Sequence, residues 1–116
     1  MSERSTELRG PADAAFIRLA RTATLSVAST RGFAVDACDE LRMAVEEACN
    51  ALTSGGAKEL TITYVDDRAG LTLSIQPAPE QDVTLTSTAE LILTTMCDRL
   101  SITSGGALVI VKNLQS

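Results

Sequence analysis

The hydrophobic residues between positions 36 and 52 recur with the period of an α-helix, about 3.6 residues per turn. This spacing predicts a helix packed against a core, with Asp36 as its N-cap and Gly55-Gly56 at its end. Glu47 lies at the edge of the apolar stripe, where a carboxylate either borders a cleft or is simply solvated. The stripe consists of Cys38, Leu41, Val45, Ala48, Cys49 and Leu52.

A second helical pattern precedes the first one along the chain and runs from Asp13 to about Ser29. Asp13 near the start and Gly32 after the end are typical helix boundaries. Arg18 and Arg21 lie off the apolar stripe and are expected to point outward. The apolar positions are Phe16, Ile17, Ala20, Ala23 and Val27.

After Gly55-Gly56 the hydrophobic period changes to two, which is typical of β-strands with one buried face. Residues 58–65 and 70–76 both alternate in this way, and the turn-forming residues 66–70 separate them. We therefore expect an antiparallel hairpin. Residues 77–82 are predicted to form a loop, because two prolines in it exclude regular strand pairing.

The remainder of the chain predicts a third helix and a second hairpin. Ser87 and Glu90 have the spacing of a capping box. Residues 99–103 and 107–112 flank a Ser-Gly-Gly turn. With a short extended segment from Thr6 to Arg9, the order is strand, helix, helix, strand, strand, helix, strand, strand. It predicts an α/β (α+β) two-layer sandwich, with helices on one face of a mainly antiparallel, mixed sheet.

Composition narrows the classes of function. The 116 residues suit a single domain spanning 1–116, with 45% hydrophobic and 22% charged residues. A net charge of −5 without a basic cluster argues against direct nucleic-acid binding. No apolar run approaches a membrane span and no signal peptide is apparent, so we expect a cytoplasmic protein. The three cysteines sit in helical patterns and are expected to be reduced and buried, without a metal site.

The stretch Leu41–Leu52 resembles the N-box helix of the GHKL ATPases, and is most similar to the anti-sigma-factor serine kinases of bacterial partner-switching systems (RsbW-like). The resemblance extends over roughly residues 7–112. It implies a Bergerat-type fold, a sigma factor or a STAS-type anti-anti-sigma protein as partner, and a homodimer as one option. It also implies that a basic residue of the first helix contacts the partner, for which Arg18 and Arg21 are the candidates.

The resemblance also assigns catalytic and nucleotide-binding positions. The family's N-box has a glutamate, and four residues later an asparagine that holds the magnesium ion of the nucleotide. In the register that matches the apolar positions, Glu47 takes the place of the glutamate, the general base, and Ala51 that of the asparagine. Asn50 is one residue early and is expected to point elsewhere. The alternative register uses Glu46 with Asn50.

Other nucleotide-binding elements of that family are missing from this sequence. Residues 74–80 lack the adenine-reading aspartate and the glycines that follow it, and residues 81–88 lack the glycine-rich lid. The sequence therefore favours sequestration of a protein partner without kinase activity and without a cofactor. The alternative is an active serine kinase that uses ATP and magnesium, with Asp82, or Asp66 and Asp67, substituting in the site. A third hypothesis is a dimerisation scaffold.

Overall fold

The computed structural model describes residues 3–114, which form a five-stranded sheet with three helices packed against one face. The elements follow the predicted order. Their bounds are β1 Arg4–Pro11, α1 Ala14–Arg31, α2 Val35–Ser54, β2 Glu59–Asp66, β3 Gly70–Ala78, α3 Ser87–Met96, β4 Arg99–Ile102 and β5 Leu108–Asn113.

The strand order in the sheet is β1-β2-β3-β5-β4, and every pairing among residues 3–114 is antiparallel. The expected two-layer sandwich is therefore observed, but the expectation of a mixed sheet is wrong. The two hairpins, β2–β3 and β4–β5, join through β3 and β5, and β1 pairs with β2 from outside. Each of these contacts brings together strands of opposite direction.

The predicted alternation of apolar and polar residues in β2 and β3 is confirmed, and its apolar positions form the sheet side of the core. Leu60, Ile62 and Tyr64 of β2 are buried under the helices, whereas Thr61 and Thr63 face the opposite side. The same inner face carries the buried residues Leu71, Leu73, Ile75, Leu108 and Ile110. The hydrophobic effect on this face holds the helix layer to the sheet.

Asp13 and Gly32 bound helix α1 as predicted, although the helix runs to Arg31, two residues beyond the predicted Ser29. Asp13 is the N-cap and accepts a hydrogen bond from the Phe16 N–H at 2.9 Å. Gly32 ends the helix with a left-handed φ of 101°, which favours glycine.

The apolar stripe of α1 is shifted by one residue in its second half: Thr24 and Ala28 are buried, whereas the predicted Ala23 and Val27 are half-buried. Thr24 is tolerated there because its hydroxyl is hydrogen-bonded inside the core.

The predicted cap of α2 is wrong. Ala34 occupies the N-cap position and makes no side-chain hydrogen bond, while Asp36 lies within the first turn. The buried ring of Phe33 anchors the connection, and its N–H donates to the Ala28 carbonyl at 3.1 Å. This tight link from α1 forces α2 to begin at Val35. Asp36 still places a carboxylate near the positive end of the helix dipole.

Strand β3 is longer than predicted, because Pro77 is buried and pairs with Leu60. A proline lacks only the N–H, and beyond Ile75 no residue of β3 pairs with β5, so that end of β3 has a partner on one side only. The loop predicted for residues 77–82 therefore begins after Ala78.

The N-cap of helix α3 also lies one residue before the predicted one, Ser87. This N-cap is Thr86, whose hydroxyl accepts from the Ala89 N–H at 3.1 Å, so Ser87 is the first helical residue. Cys97 was predicted to lie inside this helix, but it is the C-cap residue just after Met96.

Candidate functional site: an acidic cleft beside helix α2

A cavity of about 380 Å³ lies between the C-terminal half of α2 and the segment that leads from β3 into α3. We call it the acidic cleft. Its volume is near the lower end of the range of about 300–1,000 Å³ found for ligand pockets. It is lined by Glu47, Asn50, Ala51, Ser54, Gly55, Gln81, Asp82, Val83, Thr84, Leu85, Thr86 and Ala89.

One face of α2 forms the first wall of the cleft. Glu47, Asn50, Ala51 and Ser54 follow the spacing of one helical face, three or four residues apart, and all line the cavity. The expectation that Asn50 points elsewhere is therefore wrong. Although Asn50 and Ala51 are about 100° apart on the helix, the cleft is wide enough to be lined by both.

The two candidate glutamates have different surroundings. Glu47 is half-buried at the cleft and has no hydrogen-bond or ion-pair partner among residues 3–114. Glu46 faces α1, where its Oε1 lies 3.5 Å from Arg21 Nε. Of these two glutamates, only Glu47 can therefore present its carboxylate to a molecule in the cleft.

The second wall is the extended segment of residues 79–86, and it is fixed at Gln81. The side-chain amide of Gln81 donates to the Leu52 carbonyl at 3.2 Å, and its backbone N–H donates to the Gly105 carbonyl at 3.3 Å. A Cβ built on Gly106 would overlap the Gln81 carbonyl oxygen, so a glycine is required there. These contacts hold the segment between the end of α2 and the β4–β5 turn.

The charge of the cleft is negative. Glu47 and Asp82 contribute two carboxylates, and no lysine or arginine of residues 3–114 lines it. The N-terminus of α3, at Thr86, supplies only the partial positive charge of a helix end. Phosphate groups would therefore meet net repulsion, whereas a cationic group would be attracted.

Of the acidic residues considered as substitutes in the site, only Asp82 lines the cleft. Asp66 and Asp67 belong to the β2–β3 turn region. Asp66 forms an ion pair with Arg31, whose guanidinium also donates to the Asp67 carbonyl at 2.8 Å. These contacts hold the end of α1 against the β2–β3 hairpin. Asp66 and Asp67 therefore have a structural role outside the cleft.

The two predicted partner-binding arginines, Arg18 and Arg21, differ from each other in exposure and in contacts. Arg18 is exposed on α1, and its side chain has no hydrogen-bond or ion-pair partner in residues 3–114. Arg21 is half-buried, and its nearest charged partner is Glu46. Arg18 is thus the arginine available for an external contact.

The three cysteines are buried and unpaired, as expected. Burial raises the pKa of Cys49 to about 12, and burial is also the main cause that raises the pKa of Cys38 and of Cys97. The thiols therefore stay protonated and are poor nucleophiles. Residues 3–114 contain no group of three or more His, Cys, Asp or Glu side chains placed to hold a metal ion.

Sequence reasoning missed most of the second wall of the cleft. Gln81, Thr86 and Ala89 lie where the hydrophobic pattern has no strand period, and nothing in it indicates that Gln81 reaches back to α2. Of these residues, only Thr86 could have been found from the sequence, because threonine is a favourable N-cap and Thr86 precedes a helical pattern.

Comparison of the sequence with models of protein families and with curated proteins gave no match. Among residues 3–114, no helix combines the length and apolarity needed to cross a membrane. The fold and the acidic cleft define the class of protein only as an α+β two-layer sandwich with an open cavity beside its central helix.

Proposed function

We propose that this chain is a protein-binding regulator of the anti-sigma-factor type, which keeps a Bergerat-type arrangement but does not use a nucleotide. Two features support the proposal. The order of elements is the one that the GHKL resemblance implies. In addition, Glu47 of the N-box-like helix lines a cleft closed by the segment before α3, where that family would place its nucleotide.

The main support for a protein that neither binds nor uses ATP is the negative charge of the cleft. Kinase catalysis depends on positioning and on electrostatic stabilisation of the phosphates. Here Glu47 and Asp82 provide negative charge, and no basic side chain or glycine-rich loop of residues 3–114 lines the cleft to balance it. The segment at Gln81 is also tied down where a lid would have to move. The residues present therefore do not fit ATP with magnesium.

Calorimetry with ATP and magnesium tests this step. We expect no heat of binding at micromolar or millimolar nucleotide and no shift of the melting temperature, because a ligand stabilises a protein only when it binds the folded state. Saturable binding in the micromolar range would refute the proposed loss of the nucleotide site.

The binding activity itself is tested with purified partners. The sigma factors and STAS-domain proteins of the same organism, titrated one by one, should include one that forms a stable complex without nucleotide. If none of them binds, the anti-sigma assignment is wrong, whatever the result with ATP.

One observation favours the alternative of an active serine kinase. Asn50 lines the same cleft as Glu47, so a magnesium-binding amide and a carboxylate face one cavity. Under this alternative, ATP binding would be lost in Asn50→Ala and kept in Asn113→Ala, which removes an exposed amide of β5 outside the cleft. Equal behaviour of the two variants would exclude this role of Asn50.

Arg18 is the proposed contact to the partner on α1. Charge reversal in Arg18→Glu should weaken the complex at least about tenfold, since a rim charge contributes to association and complementarity. Arg68→Glu, an equal reversal at an exposed residue of the β2–β3 turn, is the control and should leave binding unchanged. An unchanged affinity in Arg18→Glu would exclude α1 as the contact surface.

A further inference from the structure

Three acidic side chains of α2 are half-buried, and two of them have a cationic partner within the protein. Glu40 accepts a hydrogen bond from Lys112 Nζ at 2.6 Å. Glu46 lies 3.5 Å from Arg21 Nε. Glu47 is the third, and it has no hydrogen-bond or ion-pair partner among residues 3–114. Partial burial removes water from its carboxylate without supplying a counter-charge, so a cation from outside would be stabilised there.

The basic residue of α2 itself does not supply the missing charge. Arg42 lies 3.8 Å from Asp39, one turn earlier on the helix. It is five residues before Glu47, which places it about 140° away around the helix. The N-terminus of α3 adds only about half an elementary charge to the cleft. The two carboxylates of Glu47 and Asp82 outweigh it, so the cavity stays negative.

The cleft also offers apolar surface next to its charged groups. In the segment before α3, Val83 and Leu85 are half-buried and pack against the hydrophobic core. Asp82 and Thr84, which alternate with them, are exposed. One alanine of α2 and one of α3 add methyl groups to the same lining. A molecule that joins a cationic group to an apolar stem matches this lining better than a bare metal ion does.

The cavity keeps its shape through contacts made outside its charged groups. Gln81 bonds to the Leu52 and Gly105 carbonyls and thereby holds the second wall at a fixed distance from α2. A ligand would therefore find the two walls already in place, which lowers the entropic cost of binding. The volume of about 380 Å³ is that of a pocket for a small molecule.

We propose that the acidic cleft binds a small organic cation, an ammonium or guanidinium group carried on an apolar stem. The Glu47 carboxylate accepts charge-assisted hydrogen bonds from the cationic group. Asp82 adds a second negative charge, and Val83 and Leu85 cover the stem. The site does not rest on the proposed function, because binding of a protein partner requires no occupant in the cleft.

An NMR titration of the isotope-labelled full chain with 1-pentylamine tests the proposal, since this amine is protonated at neutral pH. Backbone amides of residues 47–55 and 81–89 should shift in a saturable manner. The dissociation constant should be roughly millimolar, as suits so small a ligand. The analogues 1-pentanol and pentanoate carry the same stem with a neutral and an anionic group. Both should bind at least about tenfold more weakly, because the carboxylates attract only the cation.

Three charge-removing variants locate the site. Glu47→Gln keeps the size of the side chain and should weaken pentylamine binding at least about tenfold. It should not lower the melting temperature, because Glu47 has no partner to lose within residues 3–114. Asp82→Asn should weaken binding less, because Asp82 is exposed and its charge is more strongly screened. Glu90→Gln removes the same charge from an exposed residue of α3 outside the cleft and should bind normally.

Several results would overturn the proposal. They are the absence of saturable shifts with pentylamine, equal binding of the three pentyl compounds, and shifts that map outside the cleft. An unchanged affinity in Glu47→Gln, or an equal loss in Glu90→Gln, would do the same. These outcomes are separate from the fate of the proposed function, which fails if ATP binds or if no partner protein is found.

Discussion

The buried hydroxyl pair between α1 and β2 should behave as one coupled unit when it is mutated. Thr24 Oγ1 donates to the Ala20 carbonyl at 2.8 Å and therefore accepts from Tyr64 Oη, 2.9 Å away. Both side chains are almost completely buried. Tyr64→Phe removes one donor while the Thr24 hydroxyl keeps its acceptor, so the cost should be about 1 kcal/mol, typical of one buried hydrogen bond.

Thr24→Val should cost more than Tyr64→Phe. It preserves the shape of the side chain but leaves the Tyr64 hydroxyl with only the Ala20 carbonyl, at a long 3.5 Å. An unsatisfied buried donor costs about 1–3 kcal/mol. The double variant removes both polar groups together, so its cost should be smaller than the sum of the single costs by about 1 kcal/mol.

Urea unfolding followed by circular dichroism measures these free energies by linear extrapolation. Thr22→Val is the matched control, because the Thr22 hydroxyl is exposed and bonds only to the Arg18 carbonyl at 3.4 Å. It should change the free energy of unfolding by less than about 0.5 kcal/mol. Additivity of the two core substitutions to within about 0.3 kcal/mol would refute the pairing of the hydroxyls.

The same pair gives a pH dependence. Burial raises the pKa of Tyr64 to about 12, against about 10 in the unfolded chain. The folded state thus holds its proton longer, so the stabilisation is complete below pH 10 and is lost as pH rises from about 10 to 12. Tyr64 is the only tyrosine, so tyrosinate absorbance reports it directly. A midpoint near 10 in the folded protein would contradict the burial, and Tyr64→Phe removes this part of the alkaline loss.

Two further predictions concern a turn and the thiols. Gly106→Ala should destabilise the protein by about 1–3 kcal/mol in urea unfolding, because φ is 92° and a Cβ would overlap the Gln81 carbonyl. Gly105→Ala, where a Cβ would meet only the ends of the Glu80 and Gln76 side chains, should cost clearly less, and equal costs would contradict this reasoning. Second, a thiol reagent at neutral pH should label Cys49 slowly in the folded protein and rapidly in urea, because burial raises its pKa to about 12. Rapid labelling of the folded protein would show that Cys49 is accessible.

The hydrophobic pattern of the sequence predicted the elements whose period is strong. It gave wrong boundaries where contacts between distant residues determine where an element begins or ends. The alternation Leu60, Ile62, Tyr64 places β2 because each of these side chains is buried on one face. Pro77 was assigned to a loop because the pattern does not reveal that this end of β3 has a neighbour on one side only. Asp36 was assigned as a cap because the buried position of Phe33, which sets where α2 begins, depends on packing.

The candidate site divides in the same way. Helical spacing alone puts Glu47 and Ala51 on one face of α2, and that face lines the cleft. The opposite wall depends on where residues 79–86 run after β3, and that course is fixed by long-range bonds from Gln81 to Leu52 and Gly105. No local pattern in the sequence encodes such bonds, so the shape and the negative charge of the cleft emerge only in three dimensions.

The position of β1 has a consequence for the order in which the chain folds. Its partners in β2 follow only after both long helices, since Pro11 pairs with Glu59 and Arg4 with Asp66. Closing so large a loop costs conformational entropy before any pairing is gained, whereas the β2–β3 hairpin closes locally. During synthesis β1 leaves the ribosome before β2 and stays unpaired with it until residue 66 has followed. Five of its eight residues are charged or carry a hydroxyl, a composition that disfavours aggregation of an unpaired strand during that interval.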